Sequence, residues 1–246
     1  MTSFSCYYIN VAVCCGARYS TRRYRSVNFM TTAIWTDGYR EQSLMPNDHG
    51  LRRCNCGSFF LQSELVTISE AEETDEPLAP HVRPEHLPVA IAQARTPEIE
   101  LAARLNYWQH LNHVYRDQYR AHREAEDAAT KATWEVANPD QRTAWQKLRK
   151  VDRKPRYRPA LDRPITFPVF EPSPEQRENM SALLKLIESS ANPDFFQQAE
   201  LHRELGQFDE ARRALSKAQE EDNPSLYRLS ETLTKRRQAA LVRYAA

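Results

Sequence analysis

The residues best suited to chemistry are two cysteines separated by one position. Cys54 and Cys56 stand in LRRCNCGSFFLQSELVTI, with Gly57 directly after them. Paired thiolates are soft ligands that suit a tetrahedral cation, and the glycine lets the chain turn back while both sulfurs face the metal. A closed shell needs four donors, and His49, His81 and His86 are the further candidates near the pair. His81 and His86 have an i, i+5 relation that metal-binding histidines use. The other use of such a pair is a small apolar hairpin without metal. Cys6, Cys14 and Cys15 fall in a different context. There an apolar run, Phe4 to Ala17, precedes the basic residues Arg18, Arg22, Arg23 and Arg25, the reverse of the order in a secretory signal. Met30 opens a stretch that reads as the start of a soluble protein, so residues 1–29 are expected to be a non-native or disordered extension. That expectation removes their three thiols from the candidate site.

Charge is the second candidate. Residues 142–158 carry Arg142, Lys147, Arg149, Lys150, Arg153, Lys154, Arg156 and Arg158 against Asp152 alone. Neutralising backbone phosphates releases counterions, so Arg149, Lys150, Arg153 and Lys154 are candidate nucleic-acid contacts. The chain as a whole holds 34 Lys+Arg against 33 Asp+Glu, so no molecule-wide field selects a polyanion or a membrane surface. The run can equally be solvated or pair with the acidic residues at 70–76. RLNYWQHLNHVYRDQYRAHRE interleaves aromatic, histidine and arginine side chains. A core helix explains it better than a base-stacking surface, because Asp117, Glu124 and Glu126 compensate its arginines. No phosphate loop, nucleophile elbow, H-E-x-x-H or dinucleotide-binding glycine pattern is present, and 5 glycines leave little to build phosphate cradles from. Catalysis is the weaker hypothesis.

The positioning elements read as mainly α, with one small N-terminal β element. Residues 30–69 have strand character around the cysteines. Residues 70–95 combine an acidic run with Pro77, Pro80, Pro84 and Pro88 and read as a linker. Thr96 caps a long helix with Pro97 in its first turn, shorter helices follow, and residues 96–152 form one region. Residues 153–174 are a basic, proline-punctuated strap in which Ile165, Phe167, Val169 and Phe170 can lie along a helix. Residues 175–246 are helical: a helix over 175–190, two short helices about Gly206, and a helix over 225–244. No apolar run reaches the ~18 residues of a membrane span. An odd number of cysteines, 5, in no regular framework fits a reducing compartment.

Two local resemblances sharpen this. Ala199, Gly206, Phe208, Ala211, Leu215, Ala218 and Pro224 resemble a tetratricopeptide repeat, with Phe195 and His202 at positions where the repeat has other residues. In that family the first helix of each hairpin lines a peptide groove, which implies Phe196, Glu200, Arg203 and Glu204 as partner-binding residues. Cys54, Cys56 and Gly57 resemble the knuckle of zinc-ribbon proteins, with zinc as the implied cofactor and no second cysteine pair downstream. Together with the Trp108 to Asn112 segment, these features resemble an uncharacterised family of bacterial cytoplasmic proteins. The leading expectation is an adaptor that binds a protein or peptide through the C-terminal helices. The alternative is a zinc-containing, nucleic-acid-associated protein using Cys54, Cys56 and the 142–158 run.

Overall fold

The computed structural model describes residues 3–26, 33–41, 48–139, 166–218 and 223–244, with Trp145, Arg149 and Tyr157. It divides into two units: residues 1–112 with 171–246, and residues 113–170. The first holds the small sheets, and the architecture is mainly helical with antiparallel sheets of two and three strands. Among the described residues, no helix is long and apolar enough to cross a membrane.

Strands β1 (Ser3–Val11) and β2 (Arg18–Ser26) form a hairpin, and β7 (Val66–Ala71) pairs antiparallel with the other edge of β1. This departs from the expectation for residues 1–29. Tyr-, Ile- and Val-rich β1 alternates well enough to pair on both sides, burying Ile9 and Asn10. Short β3 (Ala33–Trp35) and β4 (Arg40–Glu41) turn about Gly38, and β5 (Leu51–Arg53) pairs with β6 (Phe59–Leu61). Adjacent strand residues face opposite ways. Phe60 therefore packs with Tyr19, Ala12, Cys54 and Ala79 beneath the β1–β2 turn, while Phe59 packs with Leu51, Leu87, Ile99 and Ala102 against helices. One hairpin thus serves two cores.

The stretch read as a linker is not one. It completes β7, buries Ala79, and forms α1 (Leu87–Ala92), whose Leu87 and Ala90 enter the helical core. Helix α2 (Pro97–Leu111) starts where the Thr96 hydroxyl accepts the Ile99 N–H at 3.3 Å. It ends at Asn112, so the expected long helix is broken there. Its Leu105 and Trp108 meet Met180, Leu183 and Ile187 of α4 (Pro174–Ser189) and Leu201 of α5 (Phe195–Glu204). Gly206, at φ 77°, ends α5: its N–H reaches the Arg203 carbonyl and the Gln207 N–H the His202 carbonyl, the paired bonds of a Schellman cap. Helix α6 (Phe208–Leu215) returns antiparallel, burying Ala211 and Leu215. The last helix, α7 (Pro224–Lys235), is shorter than expected. Arg237, at φ 51°, stops it, and buried residues 240–242 lead into β8 (Arg243–Tyr244), which pairs with β3.

In the second unit, Phe167 and Phe170 of the proline-punctuated stretch lie against α3 (His113–Ala137), while residues 153–156 and 158–165 of that stretch fall outside the described residues. Phe170 meets Tyr115 edge-on at 5.1 Å, and Phe167 lies over Tyr119 at 6.3 Å.

Candidate metal centre

Two tight turns meet at one end of the first unit. In the first, the Ala12 N–H reaches the Ala17 carbonyl at 2.8 Å and the Gly16 N–H the Ala12 carbonyl at 2.9 Å, closing β1 onto β2 around Cys14 and Cys15. In the second, the Cys54 N–H reaches the Ser58 carbonyl at 2.7 Å and the Gly57 N–H the Cys54 carbonyl at 2.9 Å, closing β5 onto β6 around Cys54 and Cys56. Gly16 and Gly57 both take positive φ, 75° and 92°, directly after the second cysteine of their pair. That conformation is open to glycine at no steric cost, and it swings the following strand away from the sulfurs.

The four sulfurs converge. All lie within 4.8 Å of one another. Cys15 and Cys54 are 3.3 Å apart, Cys14 and Cys56 3.7 Å, and Cys14 and Cys15 3.9 Å. A disulfide would bring two sulfurs to about 2.0 Å. Four sulfurs at about 2.3 Å from a central zinc would stand ~3.8 Å apart, which is the spacing seen. Burial grades across the cluster. Cys54 is buried, Cys14 half-buried, and Cys15 and Cys56 exposed, so an ion has an entry side and a protein side. On the protein side the Tyr19 hydroxyl donates to the Cys54 sulfur at 3.5 Å and accepts the Asn55 N–H at 2.9 Å, fixing the second turn on the β2 strand. Tyr19 in turn stacks on Phe60 at 6.0 Å.

Electrostatics divides the thiols. The Ser58 hydroxyl and backbone, with the neighbouring thiols, bring Cys56 down to about 6. Burial, followed by hydrogen bonds to Cys54, Cys56 and Cys15, pushes Cys14 up to about 12. Like groups this close cannot all ionise without a cation, and a coordinated metal removes that conflict by deprotonating its thiols outright.

No protein-family model matches the chain, and neither a curated protein nor a solved structure is similar to it.

Cys54 and Cys56 therefore belong to a larger set than expected, and the second pair precedes them in the chain instead of following. Cys14 and Cys15 are not among the expected ligands, because the order of apolar and basic residues around them reads as an extension. The available signal was the repeated Cys-Gly step, VCCGA and RCNCGS, each preceded by another cysteine. The histidine candidates His49, His81 and His86 are not among the converging ligands; His81 pairs closely with Asp48, and His86 faces Arg53. Cys6 is apart from the cluster, with its thiol 3.7 Å from Glu70.

The residues expected to face a partner groove are turned inward. Glu200, Arg203 and Glu204 are buried, and Phe196 packs edge-on to Tyr227 at 6.4 Å. Arg203 is clamped by both oxygens of Glu200, donates to the carbonyls of Gln238 and Ala240, and reaches the Thr36 hydroxyl at 3.3 Å. Glu204 accepts the Trp108 indole N–H at 2.9 Å and the Asn112 amide at 3.2 Å. Asn112 also donates to Asp37 and accepts from Gln176. Trp108 and Asn112 are one helical turn apart, so both grip the same carboxyl. The physical reason for the correction is the C-terminal chain: the Gln238 and Ala240 carbonyls receive Arg203, and buried residues 240–242 take the place of a ligand at that helix face. Of the nucleic-acid candidates, Arg149 is exposed and lies over the Trp145 ring at 4.4 Å, while Lys150, Arg153 and Lys154 fall outside the described residues.

Proposed function

We propose that the chain is a zinc-binding protein with a structural metal centre and a binding role, its ion held by Cys14, Cys15, Cys54 and Cys56. The observation that carries this is the convergence of four sulfurs from two glycine-ended turns within 4.8 Å. Four thiolates fill a tetrahedral shell and leave no position for water or substrate, which is the arrangement of a structural site. The ion would tie the β1–β2 turn to the β5–β6 turn, two elements otherwise joined by the small core around Tyr19 and Phe60. Metal analysis of the untagged full chain should give one zinc per chain, lost in Cys14→Ser/Cys15→Ser as fully as in Cys54→Ser/Cys56→Ser. A metal-free full chain, or zinc retained without Cys14 and Cys15, would sink the assignment.

Of the two partner classes, nucleic acid has the better support. Strand β2, leaving the first thiol turn, exposes Arg18, Arg22, Arg23 and Arg25 with Tyr24 among them, a combination suited to phosphate and base contact. Glu76 and Glu70 engage Arg18 and Arg23, so a polyanion would compete with those pairs. Binding of a labelled single-stranded oligonucleotide should weaken steeply with salt, and Arg22→Gln/Arg25→Gln should flatten that slope. In an adaptor, a partner of the C-terminal helices would use the outward faces of α6 and α7, since Glu200, Arg203 and Glu204 are buried.

A further inference from the structure

Beside the candidate metal centre lies a cleft of about 420 Å³ whose chemistry is one-sided. Its walls include Arg53, Arg83, His81, His86 and Asn55 along with Cys54, and among the described residues its lining contains no aspartate or glutamate. Arg52 and Arg53 are neighbours on β5 and show what is unusual here. The Arg52 guanidinium is engaged at both terminal nitrogens: it donates to Asp48 at 2.6 Å, to the Leu51 carbonyl at 2.8 Å and to Gln62 at 2.7 Å. Arg53, on the opposite face, is half-buried, and among the described residues its guanidinium meets no carboxylate. It stands 3.1 Å from one ring nitrogen of His86 and 3.4 Å from the other. Arg83 reaches an acid only at 3.9 Å, through exposed Glu85. Asp48 holds His81 through Nδ1, leaving Nε2 for another partner.

Two guanidinium groups and two imidazoles face a common space, and among the described residues the only carboxylates that reach them are Asp48, on the far side of His81, and exposed Glu85, 3.9 Å from Arg83. We infer that this cleft binds a phosphate group in the doubly charged form of free phosphate or a phosphate monoester. Arginine offers a planar fork matched to phosphate oxygens, and an oxyanion between Arg53 and His86 would give both a hydrogen-bond acceptor. The cleft is large enough for a phosphate with the first unit attached to it, such as a terminal nucleotide. This site is separate from the thiol centre and rests on the zinc reading only in that the ion would fix Cys54, which forms part of the wall.

The test uses metal-loaded full chain. Inorganic phosphate and two versions of one short oligonucleotide, with a 5′-phosphate and with a 5′-hydroxyl, are titrated calorimetrically at fixed ionic strength, with zinc content measured on the same samples. Saturable phosphate binding, weakened at least tenfold by Arg83→Gln and by Arg53→Gln with zinc content unchanged, supports the site. Preference for the 5′-phosphorylated strand over both other ligands assigns the phosphate to a nucleic-acid end, and equal affinity for it and inorganic phosphate assigns a free phosphate. Absence of saturable binding by zinc-replete wild type overturns the cleft and leaves the metal centre standing. Loss of zinc in Arg53→Gln, with phosphate binding unaltered in Arg83→Gln, also overturns it, because Arg53 would then serve to offset the negative charge of the thiolates.

Discussion

Two polar clusters in the same unit meet the problem of buried charge in opposite ways. At the helical end, Glu200, Arg203, Glu204, Trp108, Asn112 and Asp37 interlock, with donors and acceptors of several chemical kinds supplied by α2, α5, the β3–β4 turn and the C-terminal chain. At the sheet end, four groups of one kind converge on a point that none of them occupies. The first cluster is complete in itself and reads as architecture. Mutual satisfaction is impossible for four thiolates, and the second therefore reads as a ligand site. Convergence of like donors is a better sign of function here than burial or charge alone.

The largest effect should come from breaking the sheet-end cluster. Chelation of the native chain is expected to release zinc and to unfold or loosen the β1–β2 and β5–β6 turns while α2, α4 and α5 keep their helicity, since structural zinc contributes several kcal/mol of folding free energy, on the order of 10 in small zinc domains. Hydrogen exchange resolved by segment would check it. Uniform protection before and after chelation would mean that the thiols hold no structural ion.

Breaking the helical-end cluster should cost less but spread further. Arg203→Ala leaves Glu200 buried without its counter-charge and removes donors from two backbone carbonyls, and removing one partner of a buried ion pair costs roughly 3–5 kcal/mol. Urea unfolding should register that loss without altering zinc content. A fall under about 1 kcal/mol would mean that water replaces the guanidinium and the cluster is not closed.

The sequence disclosed one of these clusters in part and hid the other. Cys54, Cys56 and Gly57 announced a knuckle because ligand chemistry is local in residue type. Cys14 and Cys15 were equally legible as a thiol pair before a glycine, but the inverted order of charge and apolar residues around them suggested an extension. Strand pairing with distant Val66–Ala71 is what gives that segment its place, and no local pattern reports it. The α5–α6 hairpin followed from the spacing of Ala199, Gly206, Phe208 and Leu215. Which face of α5 is covered did not, because the cover is the non-helical chain before β8, whose apolar residues Ala240, Leu241 and Val242 also fit a helix pattern. The Trp108 and Asn112 pair was visible as a spacing, while its target, Glu204, lies over ninety residues away.

A smaller effect probes the turn that presents Glu200, Arg203 and Glu204. Gly206→Ala places a side chain at φ 77° with nothing within 4 Å of its Cβ, so the cost is backbone strain alone, about 1–2 kcal/mol. Thermal unfolding of zinc-loaded protein should fall by a few degrees. An unchanged midpoint would show that the α5 cap relaxes without disturbing the network behind it.

The two clusters also separate by pH. Burial, with Glu200 and Asp37 as neighbouring carboxylates, holds the Glu204 carboxyl well above the usual range, against the opposing pull of the Trp108 hydrogen bond and Arg203. An unfolded glutamate ionises near pH ~4.3, so above that pH the unfolded chain releases a proton that folded Glu204 retains. The contribution of this group to stability is full below the unfolded value and is lost as pH rises toward the folded one. Glu204→Gln keeps an acceptor for Trp108 and cannot titrate. Relative to wild type it should therefore gain stability as pH rises above ~4.3 toward the folded value, by about 1.4 kcal/mol for each pH unit over which wild-type Glu204 stays protonated. Both proteins carry the same four thiols, so any pH dependence of the metal centre cancels in the difference. Parallel pH profiles would show that Glu204 is ionised in the fold, and the helical-end cluster would then need a cation besides Arg203 to be complete.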